Sequence, residues 1–234
     1  MSAAANQHWP QPGLKTAAGT HYLLKGPKDG RIVLCIHGIG AYSACFDKLA
    51  AALVNEGYQV LQYDLDAHPP AQPSKLVLLS PAGLMNPGPI KPLRALSCMH
   101  GLIKKVLKSG QEGAWKQVFV VKKGDNFEAM MQMQRDQLHN NPHSFDAFFQ
   151  SALHFPLYGI DEQASRVGKL PLSTLIMWGK QDQAVPMKPS LSRWEQHFAQ
   201  SVQTEVWDKA GHGFFLEQPE RAAASIIAFL KPTA

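Results

Sequence analysis

The sequence predicts an α/β protein with a mostly parallel sheet, flanking helices and a helical insertion. Near both ends of the chain, short buried strands alternate with amphipathic helices, the pattern of a parallel sheet. Residues 86–165 instead show helical periodicity. A length of 234 residues with 45% hydrophobic content suffices for one core with additions. We therefore assign residues 1–85 and 166–234 to the core and 86–165 to the insertion.

The sequence of the first part of the core predicts a unit of two strands joined by a helix. Residues 20–26 and 31–37 predict two strands around a turn, and the second, RIVLCIH, is continuously apolar. Such a strand is expected to be buried on both faces of a parallel sheet. A helix with one apolar face follows and ends at Gly57. YQVLQYDL at 58–65 predicts the next strand.

The remaining core elements follow in the same pattern. A proline-rich link at 68–73 leads to a buried strand, KLVLL, and a turn that begins at Ser80. Within the insertion, VFVV at 118–121 gives a doubtful strand signal. After the insertion, the sequence predicts a strand at 173–179, a helix at 191–200 and a strand at 204–208. A turn at 209–213 and a final helix at 219–230 follow.

Charge and cysteine usage exclude several classes of protein. The net charge is +5, and residues 86–124 hold eight basic side chains against one acid, Glu112. No aromatic ladder or nucleic-acid motif accompanies them, so we expect no nucleic-acid partner. Three cysteines, an odd number, indicate reduced thiols rather than a disulfide framework. No secretion signal or membrane span is recognised, and we expect a soluble cytoplasmic protein.

Five short motifs together resemble the α/β-hydrolase family. They are HGIG after a buried strand, a Tyr-Asp-Leu strand end, LLSPAGL, LIMWGKQDQAVP and AGHGFFLEQPE, at 37–40, 63–65, 78–84, 175–186 and 210–220. The resemblance covers about residues 20–230. It implies a serine hydrolase of carboxylic esters or lipids, with acyl transfer by a Ser-His-Asp triad. It also implies that the insertion is a helical cap, and we expect neither a cofactor nor a metal.

The resemblance assigns roles to three residues. Asp182, in a loop after a strand, matches the triad acid, and His212, between two glycines, matches the base. The backbone N–H of Ile39 matches one donor of the oxyanion hole. Taken alone, Asp182 and His212 are also typical of turn residues at the surface. Their joint context favours the catalytic interpretation.

The nucleophile of the triad has no counterpart. In this family it lies in a G-x-S-x-G elbow, and the one pair of glycines four positions apart is Gly26 and Gly30, around Lys28 in a turn. Only residues 65–74 separate two strands that are normally about 40 to 60 residues apart. The central elbow strand and its helix are therefore expected to be missing. The sheet either closes up, with 31–37 beside KLVLL, or keeps a gap with exposed apolar edges.

Other residues are weak substitutes for the nucleophile. Ser80 ends a strand, but Leu78 is too large for an elbow and Pro81 lacks the N–H of a second oxyanion donor. Ser43 and Cys45 follow the HGIG turn, and Cys45 is expected in the core. Ser80 is the only substitute that we retain as a candidate.

Three hypotheses follow for the function. The chain is a shortened, catalytically impaired form of a serine hydrolase, a non-catalytic protein that binds an apolar small molecule, or a hydrolase with an unrecognised nucleophile. Retention of both Asp182 and His212 favours the first. The expected ligand is a small apolar ester or a lipid-like molecule. Residues 93–108 form a basic amphipathic segment that either docks over the pocket, which we favour, or contacts an anionic membrane surface.

Overall fold

The computed structural model describes residues 14–15, 21–38, 41, 43–63, 73–86, 100–140, 143–198 and 202–231. The predicted oxyanion donor Ile39 and the first part of the basic segment, 93–99, lie outside these residues. Within them the chain forms seven strands and nine α-helices, with a 3-10 turn at Ser43–Phe46 before the first helix.

The strands and helices have the following bounds. The strands are β1 (Leu14–Lys15), β2 (His21–Lys25), β3 (Ile32–Ile36), β4 (Gln59–Tyr63), β5 (Lys75–Leu79), β6 (Ser173–Gly179) and β7 (Val202–Trp207). The helices are α1 (Asp47–Asn55), α2 (His100–Ser109), α3 (Gln111–Lys116), α4 (Asp125–Asn140), α5 (Ser144–His154), α6 (Asp161–Gly168), α7 (Met187–His197), α8 (Phe214–Glu217) and α9 (Pro219–Leu230).

The strands form two sheets rather than one. A four-stranded sheet has the order β1-β2-β4-β3, and a three-stranded sheet has the order β5-β6-β7. β3 runs parallel to β4, with Val33 opposite Val60, and β5, β6 and β7 are all parallel to one another. β1 and β2 are antiparallel to their neighbours. The prediction of a mostly parallel α/β fold is therefore confirmed.

The described strands leave β3 and β5 unpaired with each other, and we call this break between the two sheets the gap. Within the described residues these strands do not pair with each other, and no strand lies between them. Among the described residues the closed-up sheet, with 31–37 beside KLVLL, is therefore wrong, and the loss of a central strand stays a prediction. The linker after β4 is too short to supply a further parallel strand together with its crossover helix.

One face of both sheets is covered by α1 and α9. A single cluster of buried residues contains Cys35 and Val60 from the four-stranded sheet and Leu175 and Met177 from the three-stranded sheet. Helix α9 contributes Ala222 and its neighbours on the same stripe. Because this cluster contains residues of both sheets, it joins them through shared apolar packing despite the gap.

Among the described residues, helices cover the opposite face over the three-stranded sheet and leave it partly exposed over the four-stranded sheet. On the three-stranded sheet, Ile176 and Trp178 of β6 pack with Ala164 of α6 and Trp194 of α7. On the four-stranded sheet, Ile32 and Ile36 of β3 are 67% and 51% exposed. The prediction that β3 is buried on both faces is therefore wrong, because no helix among the described residues covers this face.

The insertion contains helices α2 to α5, and two of its features differ from the prediction. VFVV at 118–121 forms no strand, because the Val118 N–H bonds back to Trp115 in a turn. Helix α6 crosses the predicted boundary at 165 and buries Ala164 against the core. Whether the insertion acts as a cap stays a prediction.

Candidate active site

Asp182 lies in the loop that follows β6. Its Oδ1 atom accepts hydrogen bonds from the backbone N–H groups of Ala184 and Val185, at 2.9 and 2.7 Å. The indole of Trp178 donates to the carbonyl oxygen of Val185 at 3.1 Å and so fixes the far side of the loop. The Asp182 side chain has no exposed surface. A buried carboxylate with several hydrogen bonds is held in one orientation.

His212 lies in the loop that follows β7, which packs directly against the Asp182 loop. The Gln181 N–H donates to the Ala210 carbonyl at 2.9 Å. At Gly179, the last residue of β6, a Cβ atom would overlap the carbonyl oxygen of Gly211. Glycine at this position therefore permits the close approach that brings Asp182 to His212.

The two side chains form the acid and base pair that the resemblance implies. His212 Nδ1 lies 2.8 Å from Asp182 Oδ2, and the His212 side chain is 32% exposed. Because an ionised carboxylate can only accept, Nδ1 carries the proton in this bond. In the neutral imidazole Nε2 is then an acceptor, and among the described residues it has no hydrogen-bond partner. It is the atom that would accept a proton as general base.

The insertion is attached to the loop that carries His212. The Gly213 N–H donates to the Val118 carbonyl at 2.8 Å. The Glu217 carboxylate, one helical turn further on, accepts from the backbone N–H groups of Val120 and Val121, the latter at 2.8 Å. These bonds hold the segment between α3 and α4 against the His212 loop. Sequence patterns gave no signal for them, because they join a loop to residues about a hundred positions away.

Ser80 lies at the end of β5 and is 2% exposed. Its backbone has φ of 44°, in the left-handed region that non-glycine residues rarely adopt. Its Oγ atom is buried without a hydrogen-bond partner among the described residues. Such burial leaves no path for an ester, which argues against Ser80 as nucleophile. Its catalytic role stays an untested prediction.

The cysteines of the core are unsuited to nucleophilic attack. Cys45 is buried in the main cluster, as expected. Burial raises the pKa of the Cys35 thiol to about 12, so the thiolate that would attack is not formed near neutral pH.

A second grouping of serine, histidine and aspartate lies between α6 and α7. Ser165 Oγ is 2.8 Å from His197 Nδ1, and His197 Nε2 is 3.5 Å from Asp161. Arg193 bonds both oxygens of Asp161, at 2.7 and 2.8 Å, and holds the pKa of this carboxyl below its ordinary value. Because Ser165 lies within a regular helix, no free backbone N–H groups surround it to stabilise an oxyanion. We interpret this network as a bridge between the two helices.

A cavity of about 290 Å³ lies at the start of α4. Its lining comes from the start of α4 and from Glu217: Val121, Lys123, Gly124, Asp125, Asn126, Phe127 and Glu217. Neither Asp182 nor His212 contributes to it.

Comparison with solved structures identifies the fold. An esterase from Exiguobacterium antarcticum matches with a TM-score of 0.69 at 18% identity, over 94% of this chain and 98% of its own. A thermophilic esterase from Thermogutta terrifontis matches with a TM-score of 0.68 at 14% identity, over 93% and 96% of the two chains. The fold is that of the α/β hydrolases.

Further comparisons agree with this α/β-hydrolase fold. The 2-hydroxy-6-oxo-6-phenylhexa-2,4-dienoate hydrolase from Rhodococcus sp. strain RHA1 matches with a TM-score of 0.65 at 17% identity, over 89% of this chain and 93% of its own. No model of a protein family matches the sequence. At such identities the similarity establishes the fold, and the reaction has to be argued from the residues of the site.

Proposed function

We propose that this chain is a catalytically impaired relative of the serine hydrolases that act on carboxylic esters or lipids. It keeps the acid and the base of the triad and lacks the nucleophile. The observation that carries the proposal is the hydrogen bond of 2.8 Å between His212 and Asp182, on loops after neighbouring parallel strands. Active sites of open parallel sheets lie at this edge.

The buried pair is a feature of catalysis rather than of stability alone. The fully buried Asp182 carboxylate bonds Nδ1 of the His212 imidazole and so leaves Nε2 able to accept a proton. A protein that only binds an apolar ligand needs no such arrangement. The neighbouring esterases and hydrolases of the same fold support a hydrolytic origin.

The impairment follows from the gap between β3 and β5. In related enzymes the resemblance places the nucleophile on the strand that would occupy this gap. Without it, His212 has no hydroxyl to activate, and Ser80 is buried. We therefore expect no acyl-enzyme and no turnover above that of the His212→Ala variant.

The test is covalent labelling of the full chain with a fluorophosphonate probe, which reacts with activated serines. We expect no labelling in the wild-type protein, with a cooperative thermal transition as evidence that the chain is folded. The control for the intact pair is the low-field NMR signal of the His212 Nδ1 proton, which we expect to disappear in Asp182→Asn.

Variants identify the responsible residue if labelling occurs. Stoichiometric labelling that is lost in Ser80→Ala and in His212→Ala would overturn the proposal and make Ser80 the nucleophile. Labelling lost in Ser165→Ala would instead assign the chemistry to the bridge between α6 and α7. Absence of the Nδ1 signal from folded wild-type protein would contradict the preorganised pair.

The remaining features of the function are proposed on the same basis. The ligand would be a small apolar ester or lipid-like molecule, held beneath the insertion where it meets the His212 loop. No helix of the described residues has the length and apolar content needed to cross a bilayer. We propose the cytoplasm as the location.

A further inference from the structure

Helix α2 exposes an apolar stripe that is unrelated to the acid and base pair. Leu102 and Val106, one helical turn apart on the same face, are each 61% exposed. Ile103, on another side of the helix, packs against the cluster of Phe145, Phe149 and Leu153 on α5. The helix is therefore anchored by one face and presents the other outward.

Basic side chains outnumber the acids beside this stripe, since one acid, Asp146, interacts with both Lys104 and Lys108. Lys105 and Lys108 are exposed and make no ion pair among the described residues. By contrast, Lys104 pairs with Asp146 at 2.7 Å, and that lysine lowers the pKa of the Asp146 carboxyl. The next acid along the chain, Glu112, is paired with Lys116 and Arg135. Lys105 and Lys108 thus leave a local excess of positive charge beside Leu102 and Val106.

We propose that this face of α2, formed by Leu102, Lys105, Val106 and Lys108, docks on an anionic lipid surface. Apolar side chains flanked by lysines on one face of a short helix are the pattern of a helix that lies in a membrane interface. The charge selects the partner, since a second copy of the chain would bring the same lysines together and repel. The proposal concerns location and does not depend on catalysis.

The experiment is flotation of the full chain with lipid vesicles. Vesicles containing about one-third phosphatidylserine are expected to bind the protein about tenfold more strongly than vesicles of pure phosphatidylcholine. Added salt should remove most of this difference, because it screens the lysines. Equal binding to both vesicles, or no binding to either, would overturn the proposal.

Paired variants test the two components separately. Lys105→Glu with Lys108→Glu should abolish the preference for phosphatidylserine, and Leu102→Ser with Val106→Ser should weaken binding at least about fivefold. The charge control is Lys169→Glu with Lys209→Glu, and the apolar control is Leu170→Ser, 51% exposed after α6. Both controls should bind as the wild type does.

Two further results would contradict the docking surface. Controls that lose as much binding as the α2 variants would show that net charge or total apolar surface, rather than this face, controls binding. A dimer in sedimentation that dissociates in Leu102→Ser with Val106→Ser, with no vesicle binding, would make the face an interface between copies. Thermal unfolding of each variant confirms that the fold is retained.

Discussion

The two sheets differ in how completely their apolar strands are buried. In β6, six of the seven residues are buried, and the strand has parallel neighbours on both edges. In β3, one of the five residues is buried, and among the described strands β3 has a neighbour on one edge only. The two strands have similar apolar sequences, IVLCI and STLIMWG. Burial of a strand is thus decided by its neighbours and not by its own composition.

This difference in packing also distinguishes the sheet that carries the acid and base pair from the sheet that ends at the gap. Asp182 and His212 follow β6 and β7, so they belong to the sheet that is packed on both faces. The resemblance places the nucleophile that we propose to be absent beside β3, on the incompletely covered side. In the function proposed above, an ordered acid and base pair persists without the strand that this pair would serve.

The largest expected effect compares two isoleucines, one from each sheet. Ile176→Ala in β6 removes a side chain with no exposed surface and should cost about 2 to 5 kcal/mol of the free energy of unfolding. Ile32→Ala in β3 removes one that is 67% exposed and should change it by at most about 0.5 kcal/mol. Urea denaturation measures both. Equal losses would mean that β3 is covered on both faces.

A smaller effect is expected at the acid of the pair. Asp182→Asn should lower the free energy of unfolding by about 1 to 3 kcal/mol, because the amide nitrogen would face groups that donate. The matched control is Asp208→Asn, which breaks an exposed ion pair with Lys180 of 2.8 Å and should have almost no effect. If the two variants lose equal stability, the buried hydrogen bonds of Asp182 contribute nothing.

The rates at which thiols on the two faces of β3 react test how differently these faces are exposed. In a Cys98→Ser background, Ile36→Cys should react with a disulfide reagent at least about tenfold faster than Cys35, which is buried and hardly ionised. The folded thiol has a pKa of about 12, against an ordinary value of 9.0. Ionisation of Cys35 in the unfolded chain above pH 9.0 therefore favours unfolding as the pH rises. Similar rates at both positions would mean that the faces are equally open.

Much of the core could be predicted because the succession of its strands and helices depends on local sequence patterns. Alternating strands and helices predicted the order of the core elements, and the resemblance to the α/β hydrolases predicted that Asp182 lies near His212, 30 positions away. The gap was one of two predicted outcomes. Local patterns did not distinguish the two outcomes, because the cluster under α1 and α9 contains residues of both sheets although β3 and β5 do not pair among the described residues.

Other features depend on contacts that no local pattern reveals. VFVV has the composition of a strand, yet hydrogen bonds to Gly213 and Glu217 hold it as an irregular segment. The exposure of Ile32 and Ile36 could not be predicted from an apolar run, which indicates that a strand is suited to burial but not that anything covers it. The bridge of Ser165 and His197 likewise forms only when α6 meets α7.

Hydrogen exchange of the backbone amides of β3 and β6 tests the interrupted sheet most directly. Successive amides of a parallel strand point to alternate edges. Since β4 occupies one edge of β3, its amides should alternate between protected and rapidly exchanging. All amides of β6 that face β5 or β7 should exchange only with global unfolding. Uniform protection along β3, equal to that of β6, would contradict the gap and the account that depends on it.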